Sequence, residues 1–273
     1  VTAEGFDAGA RGPEEIRRAA AEPTETAHSV AAPTRGARWR SLVVAAAPRL
    51  GRGLVTAAIT CLPVGVLAAI VTRQWDPLIA LDNDLIRQAT DVTRTSDGFR
   101  SALIAWQEAF VPQHVYLLAV PAVIWTWRSG LRARALWGLV TMLIGWNLGL
   151  QVKLIVERAR PVYDDPVSSA PGFSFPSGHA FNAAMATCTV LVMLWPLLAR
   201  QPSVVRAVAI GSGATFVVLT ALDRVFLGVH FPSDVTAGIL LAAGLVTASY
   251  AGFAHRPSPA PAPEPSPRPA PTA

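Results

Sequence analysis

Arg224-Val-Phe-Leu-Gly-Val-His230-Phe-Pro-Ser-Asp234 closes one apolar run and opens the next. Pro232, with its fixed φ and no N–H to satisfy, marks the first turn of a helix. His230 and Asp234, four residues apart, then lie about one turn from each other on one side. The stretch is the joint between two long apolar helices, about 204–222 and 234–254. Its chemistry admits two readings. An aspartate holding an imidazole fixes the tautomer, leaves the other ring nitrogen free to attack or accept a proton, and stabilises the imidazolium that follows. A histidine capping a helix beside a first-turn aspartate that faces the macrodipole needs no chemistry at all.

Outward from this joint the pattern repeats. The chain is 52% apolar and 15% charged, with a mean hydropathy of +0.39, whereas a soluble domain carries charge at about a quarter of its residues. The apolar residues fall in blocks of about 54–72, 112–128, 134–154, 179–199, 204–222 and 234–254, long enough to cross a hydrocarbon core. The expected fold is all-α: a polytopic membrane protein built as a six-transmembrane helical bundle. Residues 73–111 are too long for a tight turn, and Phe99, Leu103, Ile104 and Trp106 among charged neighbours suggest a short helix in the interface. Residues 1–50 read as a disordered cytoplasmic N-terminal tail, 51–255 as the transmembrane domain and 256–273 as a disordered tail rich in Pro and Ala.

The pI near 10 does not point to nucleic acid, because most arginines fall in loops and in the N-terminal segment. Cys61 and Cys188 sit inside apolar runs with no His or Cys at metal-ligand spacing, so neither a metal site, nor a redox motif, nor a disulfide is expected. Basic residues set the orientation. Arg35, Arg38, Arg40, Arg49 and Arg52 precede the first span; Arg128, Arg132 and Arg134 join the second to the third; Arg200 and Arg206 join the fourth to the fifth. In a six-span chain these share one side, so both termini are expected in the cytoplasm of a multi-pass plasma-membrane protein. The joint at 224–234 then faces outward.

Two further stretches fall on that outward face. Lys153-Leu-Ile-Val-Glu-Arg-Ala-Arg160-Pro161 spans almost two helical turns, so on a continuous helix Lys153 and Arg160 project from nearly one face and Pro161 ends it. Two cations on one face suit an oxyanion; either alone is explained by snorkelling to lipid headgroups. Glu157 between them is a partner for Lys153 or Arg158. Phe175-Pro-Ser-Gly-His179 opens the fourth span. A hydroxyl and close-approaching backbone N–H groups at a helix start form an anion cradle, and His179 in the first turn donates a proton to what the cradle holds. The same tetrapeptide also reads as an ordinary N-cap with an interfacial histidine. Together the three stretches supply cations, a cradle, two histidines and an aligning carboxylate, which is the equipment of phosphoryl transfer.

Lys-x6-Arg-Pro at 153–161, Pro-Ser-Gly-His at 176–179 and Arg-x5-His-x3-Asp at 224–234 resemble, in order, the three signature motifs of the type 2 phosphatidic acid phosphatase superfamily, which includes vanadium haloperoxidases. The resemblance covers roughly residues 54–254. It implies that His230 is the nucleophile that forms a phosphohistidine, that Asp234 orients it and that His179 protonates the leaving group. Lys153, Arg160, Ser177, Gly178 and Arg224 would bind the phosphoryl oxygens, with no metal and no other cofactor. Asp223 departs from the pattern, since family members usually carry Ser or Thr there. A carboxylate does not donate to phosphate, so Asp223 either turns away to align Arg224 or changes affinity.

The implied function is metal-independent hydrolysis of a lipid phosphate monoester or diphosphate at the extracytoplasmic face, with the bilayer and its lipid as partners and no nucleic acid. Polyprenyl diphosphate, phosphatidylglycerol phosphate and phosphatidate all fit. A vanadate-dependent haloperoxidase and a non-enzymatic lipid-phosphate binder or transporter are the alternatives. Six spans argue against the first, and the retention of both His179 and His230 against the second.

Overall fold

The computed structural model describes residues 35–163 and 166–254, with side chains from residue 47. The chain divides into two units, 1–45 and 46–273, and the first contributes only the opening turns of one helix to the described residues. Those residues form eight helices and no strand: α1 (Arg35–Thr72), α2 (Asp76–Arg94), α3 (Asp97–Ala109), α4 (Pro112–Arg128), α5 (Arg132–Val156), α6 (Gly178–Leu198), α7 (Ser203–Phe226) and α8 (Pro232–Phe253). Helix is already present at Arg35, ahead of the boundary expected at residue 51. The expected tail at 256–273 lies outside the described residues.

Helix α6 stands at the centre and packs against α4, α5, α7 and α8. Lipid tails give helices no hydrophobic reason to associate, so close approach of small residues has to do it. The sequence provides them: Ala180, Ala183 and Ala184 on α6 face Ala237, Gly238 and Ala242 on α8, all buried. The approach is tightest at Gly238, where a Cβ would stand 2.9 Å from the Ser177 carbonyl oxygen and 3.1 Å from the Phe181 nitrogen. Helix α1 docks on α8 in the same manner, with the Thr60 hydroxyl donating to the Gly244 carbonyl at 3.1 Å. Leu54, Ile59, Leu117, Leu143, Ile144 and Leu219 stay exposed on the outside, the arrangement expected where hydrocarbon rather than water surrounds a bundle. Cys61 and Cys188 are both free.

Five helices are long and apolar enough to cross a membrane: α1 from Ala47 onward, α5, α6, α7 and α8. Helices α3 and α4 are bent by 58° across a short break and count as a sixth crossing if the pair is one span, so the described residues hold five to six. The second span expected at 112–128 is therefore the straight half of a bent element. Residues 73–111 form two helices rather than one short one. Helix α3 packs on α7: the Trp106 indole N–H donates to the Thr220 hydroxyl at 3.3 Å, and its ring packs against Phe110 and Phe216. Helix α2 packs on α3, α7 and α8, and its buried residues are Asp82, Ile86, Ala89, Thr90 and Thr93.

Candidate active site

The end of α5, the start of α6, the end of α7 and the start of α8 meet at one end of the bundle, and they carry the three stretches singled out above. At the joint, α7 stops at Phe226 and the chain reverses through Gly228, whose φ of +71° is open to glycine and strained for other residues. His230 follows, buried, its backbone N–H on the Arg224 carbonyl at 3.3 Å. Pro232 opens α8, as its missing N–H favours. Asp234 then reaches the imidazole and also takes the capping role that the second reading gave to the histidine, with Phe231 at the N-cap. Its Oδ2 accepts the Phe231 backbone N–H at 2.9 Å, capping α8, and lies 3.5 Å from His230 Nδ1. The same oxygen accepts the Ser174 hydroxyl.

The other ring nitrogen of His230 faces a cation. Arg160 Nη1 stands 3.1 Å from His230 Nε2; a guanidinium only donates, so Nε2 is the acceptor and the imidazole is neutral. Burial pushes the His230 pKa down to about 4, with the cations of Arg160 and Lys153 adding to the depression and Asp234 opposing it. The Arg160 guanidinium is itself held below its ordinary pKa by burial, with Asp234 opposing and Arg224 adding. Lys153 Nζ donates to the Phe173 carbonyl at 2.7 Å, and Arg160 donates to the carbonyls of Pro171, Gly172 and Val229. Both cations are thus held by main-chain oxygens and not by carboxylates.

Lys153 and Arg160 do not share a helix face. Helix α5 ends at Val156, and Glu157 turns left-handed at φ +49° with its N–H on the Lys153 carbonyl, so Arg160 arrives from the loop. Glu157 is exposed and takes neither expected partner. Arg158 is buried and pairs with Asp82 at 2.8 Å and Asp234 at 2.6 Å, contacts that draw the chain off the helix axis. No spacing rule pointed to Arg158, Asp82 or Ser174, because their partners are 76 and 60 residues away.

At the start of α6, Ser177 is tied to α8 by its backbone N–H on the Asp234 carbonyl at 3.0 Å. Its hydroxyl and His179 Nε2 are two of the three buried side-chain polar atoms that lack a hydrogen-bond partner among the described residues; the third is Asp223 Oδ1. His179 lies within electrostatic reach of Arg224, His230 and Arg160, with a backbone group of Gln107 on its ring. Gly178 lies beside Lys153: a Cβ there would be 3.7 Å from Lys153 Cε. Arg224, fully buried, gives Nε to Asp223 Oδ2 at 2.8 Å and Nη2 to the same oxygen. Asp223 therefore braces Arg224 from the adjacent position. Every residue predicted for the site reaches this end of the bundle.

Residues 134–257 match the family model of the PAP2 superfamily. The matched region holds all three motif stretches, 153–161, 176–179 and 224–234. The chain is 38% identical over 89 residues to phosphatidylglycerophosphatase B of Bacillus subtilis, covering 32% of this chain and 41% of that one. A probable lipid phosphate phosphatase beta of Arabidopsis thaliana is 34% identical over 120 residues, with 37% and 55% covered. Decaprenylphosphoryl-5-phosphoribose phosphatase of Mycobacterium tuberculosis is 33% identical over 116 residues, with 40% and 56% covered. The chain thus spans about half the length of the curated relatives it matches. Among solved structures, a transmembrane PAP2 type phosphatidylglycerolphosphate phosphatase from Bacillus subtilis superposes with a TM-score of 0.62 at 22% identity, covering 71% of this chain and 94% of that one. That likeness establishes the PAP2 helical fold.

Proposed function

We propose that the protein is a lipid phosphatase that works through a phosphohistidine, with its site on the outer face of the plasma membrane and both termini in the cytoplasm. The observation that carries this is the pair of buried, partnerless atoms Ser177 Oγ and His179 Nε2, placed beside cations and a neutral histidine held by a carboxylate. Buried polar atoms without partners are rare, and a phosphoryl oxygen and a leaving oxygen would satisfy these two.

In the proposed reaction the phosphoryl group lies among Lys153, Arg160, Arg224 and the start of α6, and displaces Arg160 from His230 Nε2. Nε2 attacks phosphorus in line; the P–N bond forms as the bond to the leaving oxygen breaks, and that oxygen takes a proton from His179. Water then attacks the phosphohistidine, gives its proton to His179 and releases phosphate. Asp234 holds Nδ1 throughout. The three cations disperse charge on the equatorial oxygens, the task a metal performs elsewhere. The names of the matched relatives favour a lipid phosphate as the substrate class and leave polyprenyl diphosphate, phosphatidylglycerol phosphate and sugar-linked lipid phosphates as members to rank.

The test is phosphate release by the detergent-purified protein from a panel of these lipids in excess chelator, beside His230→Ala. Release that persists in chelator and vanishes in the variant is expected. Turnover unchanged in the variant would overturn the nucleophile assignment. Halide oxidation with added vanadate and peroxide, without lipid hydrolysis, would move the protein to the haloperoxidase reading.

A further inference from the structure

Behind His230 lies a buried charged network that the phosphoryl chemistry does not use. Arg158 Nη1 donates to Asp234 Oδ1 at 2.6 Å and to the Ser233 hydroxyl at 2.7 Å, and its Nη2 donates to Asp82 Oδ2 at 2.8 Å. Asp82 Oδ1 accepts the Ser233 backbone N–H at 3.0 Å, and the Ser233 hydroxyl meets Oδ2. The Arg158 guanidinium lies 4.1 Å from the centroid of the Phe231 ring. All four polar residues are buried, Asp82 and Asp234 to within 1% of completely. Both terminal nitrogens of Arg158 are therefore committed to protein oxygens on α2 and α8.

We propose that Arg158, held in place by Asp82, is a positioning residue that keeps His230 neutral by occupying the far oxygen of Asp234. The claim rests on the phosphatase reading only where it turns to rate. A buried carboxylate 3.5 Å from an imidazole favours the imidazolium, and an opposite charge at that range is worth about one to three pH units. An imidazolium has no lone pair with which to attack. A guanidinium on the carboxylate's other oxygen cancels much of that field and leaves the hydrogen bond that orients the ring. The other groups around His230 do not supply the missing negative charge: Lys153 from α5, Arg160 and Ser174 from the α5–α6 loop, and His179 from α6 are cationic or neutral donors. Balance at the imidazole is thus set by how much of Asp234 is left to it. Asp82 has a second effect, since it fixes Arg158 at the back of the site, away from the phosphoryl cradle.

The experiment follows His230 itself. Titration of 13Cε1-labelled histidine by NMR, beside the pH dependence of kcat/KM, is run on the full chain, Arg158→Gln, Arg158→Lys and the double variant Asp82→Asn with Arg158→Gln. The double variant removes the ion pair as a neutral unit, which the fold tolerates better than one stranded buried charge. In both Arg158→Gln proteins the His230 titration should rise by about one to three pH units, with the acid limb of kcat/KM following. Arg158→Lys should restore most of the wild-type position. A His230 titration unmoved in the double variant overturns the proposal, even if turnover falls, because lost packing alone lowers rate without moving a titration. A titration that moves as expected in proteins that release no phosphate from any lipid would uphold the proposal and sink the phosphatase reading.

Discussion

At the scale of single residues, the geometry around His230 predicts both the pH profile and the cost of losing its carboxylate. kcat/KM reports the free enzyme, and attack needs Nε2 unprotonated. With the pKa pushed down to about 4 by burial, activity should rise with pH through that value as Nε2 loses its proton. A limb at the ordinary histidine pKa, measured on a lipid substrate, would contradict the burial of His230. Asp234→Asn keeps the shape but removes the negative charge and turns one of the two acceptor oxygens into a donor, so Nδ1–H is held weakly or in the wrong tautomer; kcat should fall on the order of a thousandfold. Rate assays beside a melting curve would separate this from unfolding. The residues in these predictions were legible in the sequence because they sit at fixed spacings next to Pro and Gly. Arg158, Asp82 and Ser174 were not, because nothing local marks them. Arg158 stands two positions from Arg160 with the same side chain, and only their partners tell the two apart: carboxylates for Arg158, main-chain carbonyls and the His230 ring for Arg160. The dual role of Asp234 was hidden for a related reason: capping and catalysis ask for the same residue in the same place.

At the scale of elements, the start of α6 is positioned by what α8 lacks. A Cβ at Gly238 would meet two backbone atoms, the Ser177 oxygen at 2.9 Å and the Phe181 nitrogen at 3.1 Å, and neither yields as a flexible side chain would. Gly238→Ala should therefore push the Ser177–His179 cradle aside, and a displacement of 1 Å at a catalytic group costs about a hundredfold. Gly211→Ala on α7, with nothing within 4 Å, is the control: it should leave kcat unchanged and raise the melting temperature, since alanine is worth up to about 1 kcal/mol over glycine in a helix. Equal kcat in the two variants would mean that the α6–α8 contact does not set the cradle. The apolar blocks announced α1, α5, α6, α7 and α8 well, because a span must be apolar along its length. They placed 112–128 as a span of its own, where α4 passes as a crossing only together with α3, from which it is bent by 58°. The reading of Lys153 to Pro161 as one continuous helix misjudged the end of α5, which Pro161 was expected to set, whereas the apolar block ending near 154 came close to Val156. The left-handed turn at Glu157 ends it earlier, driven by long-range ion pairs that no window of sequence contains.

At the scale of the whole molecule, the two ends of the bundle differ in how their arginines are balanced. At the site end Arg87, Arg94 and Arg158 each meet a carboxylate, Asp84, Asp91 and Asp82. At the other end Arg128, Arg132 and Arg134 flank the α4–α5 turn and Arg200 and Arg206 the α6–α7 turn, with no acidic residue in either turn. Arg49 of α1, Arg134 of α5 and Tyr250 of α8 line one cavity, so residue 49 and the end of α8 lie at this second end. Basic loops stay in the cytoplasm during insertion, so the proposed orientation expects the second end inward and the site outward. Replacing Cys61 and Cys188 with Ala gives a background for the check. Val162, 90% exposed in the loop that carries Arg160, and Ser129 in the α4–α5 turn are then changed to Cys one at a time. A membrane-impermeant maleimide applied to intact cells should label Val162→Cys and spare Ser129→Cys until the membrane is opened. The reverse pattern would turn the site inward, where its substrate would be a lipid phosphate of the inner leaflet; the chemistry at His230 would stand, and only the side on which phosphate is released would change.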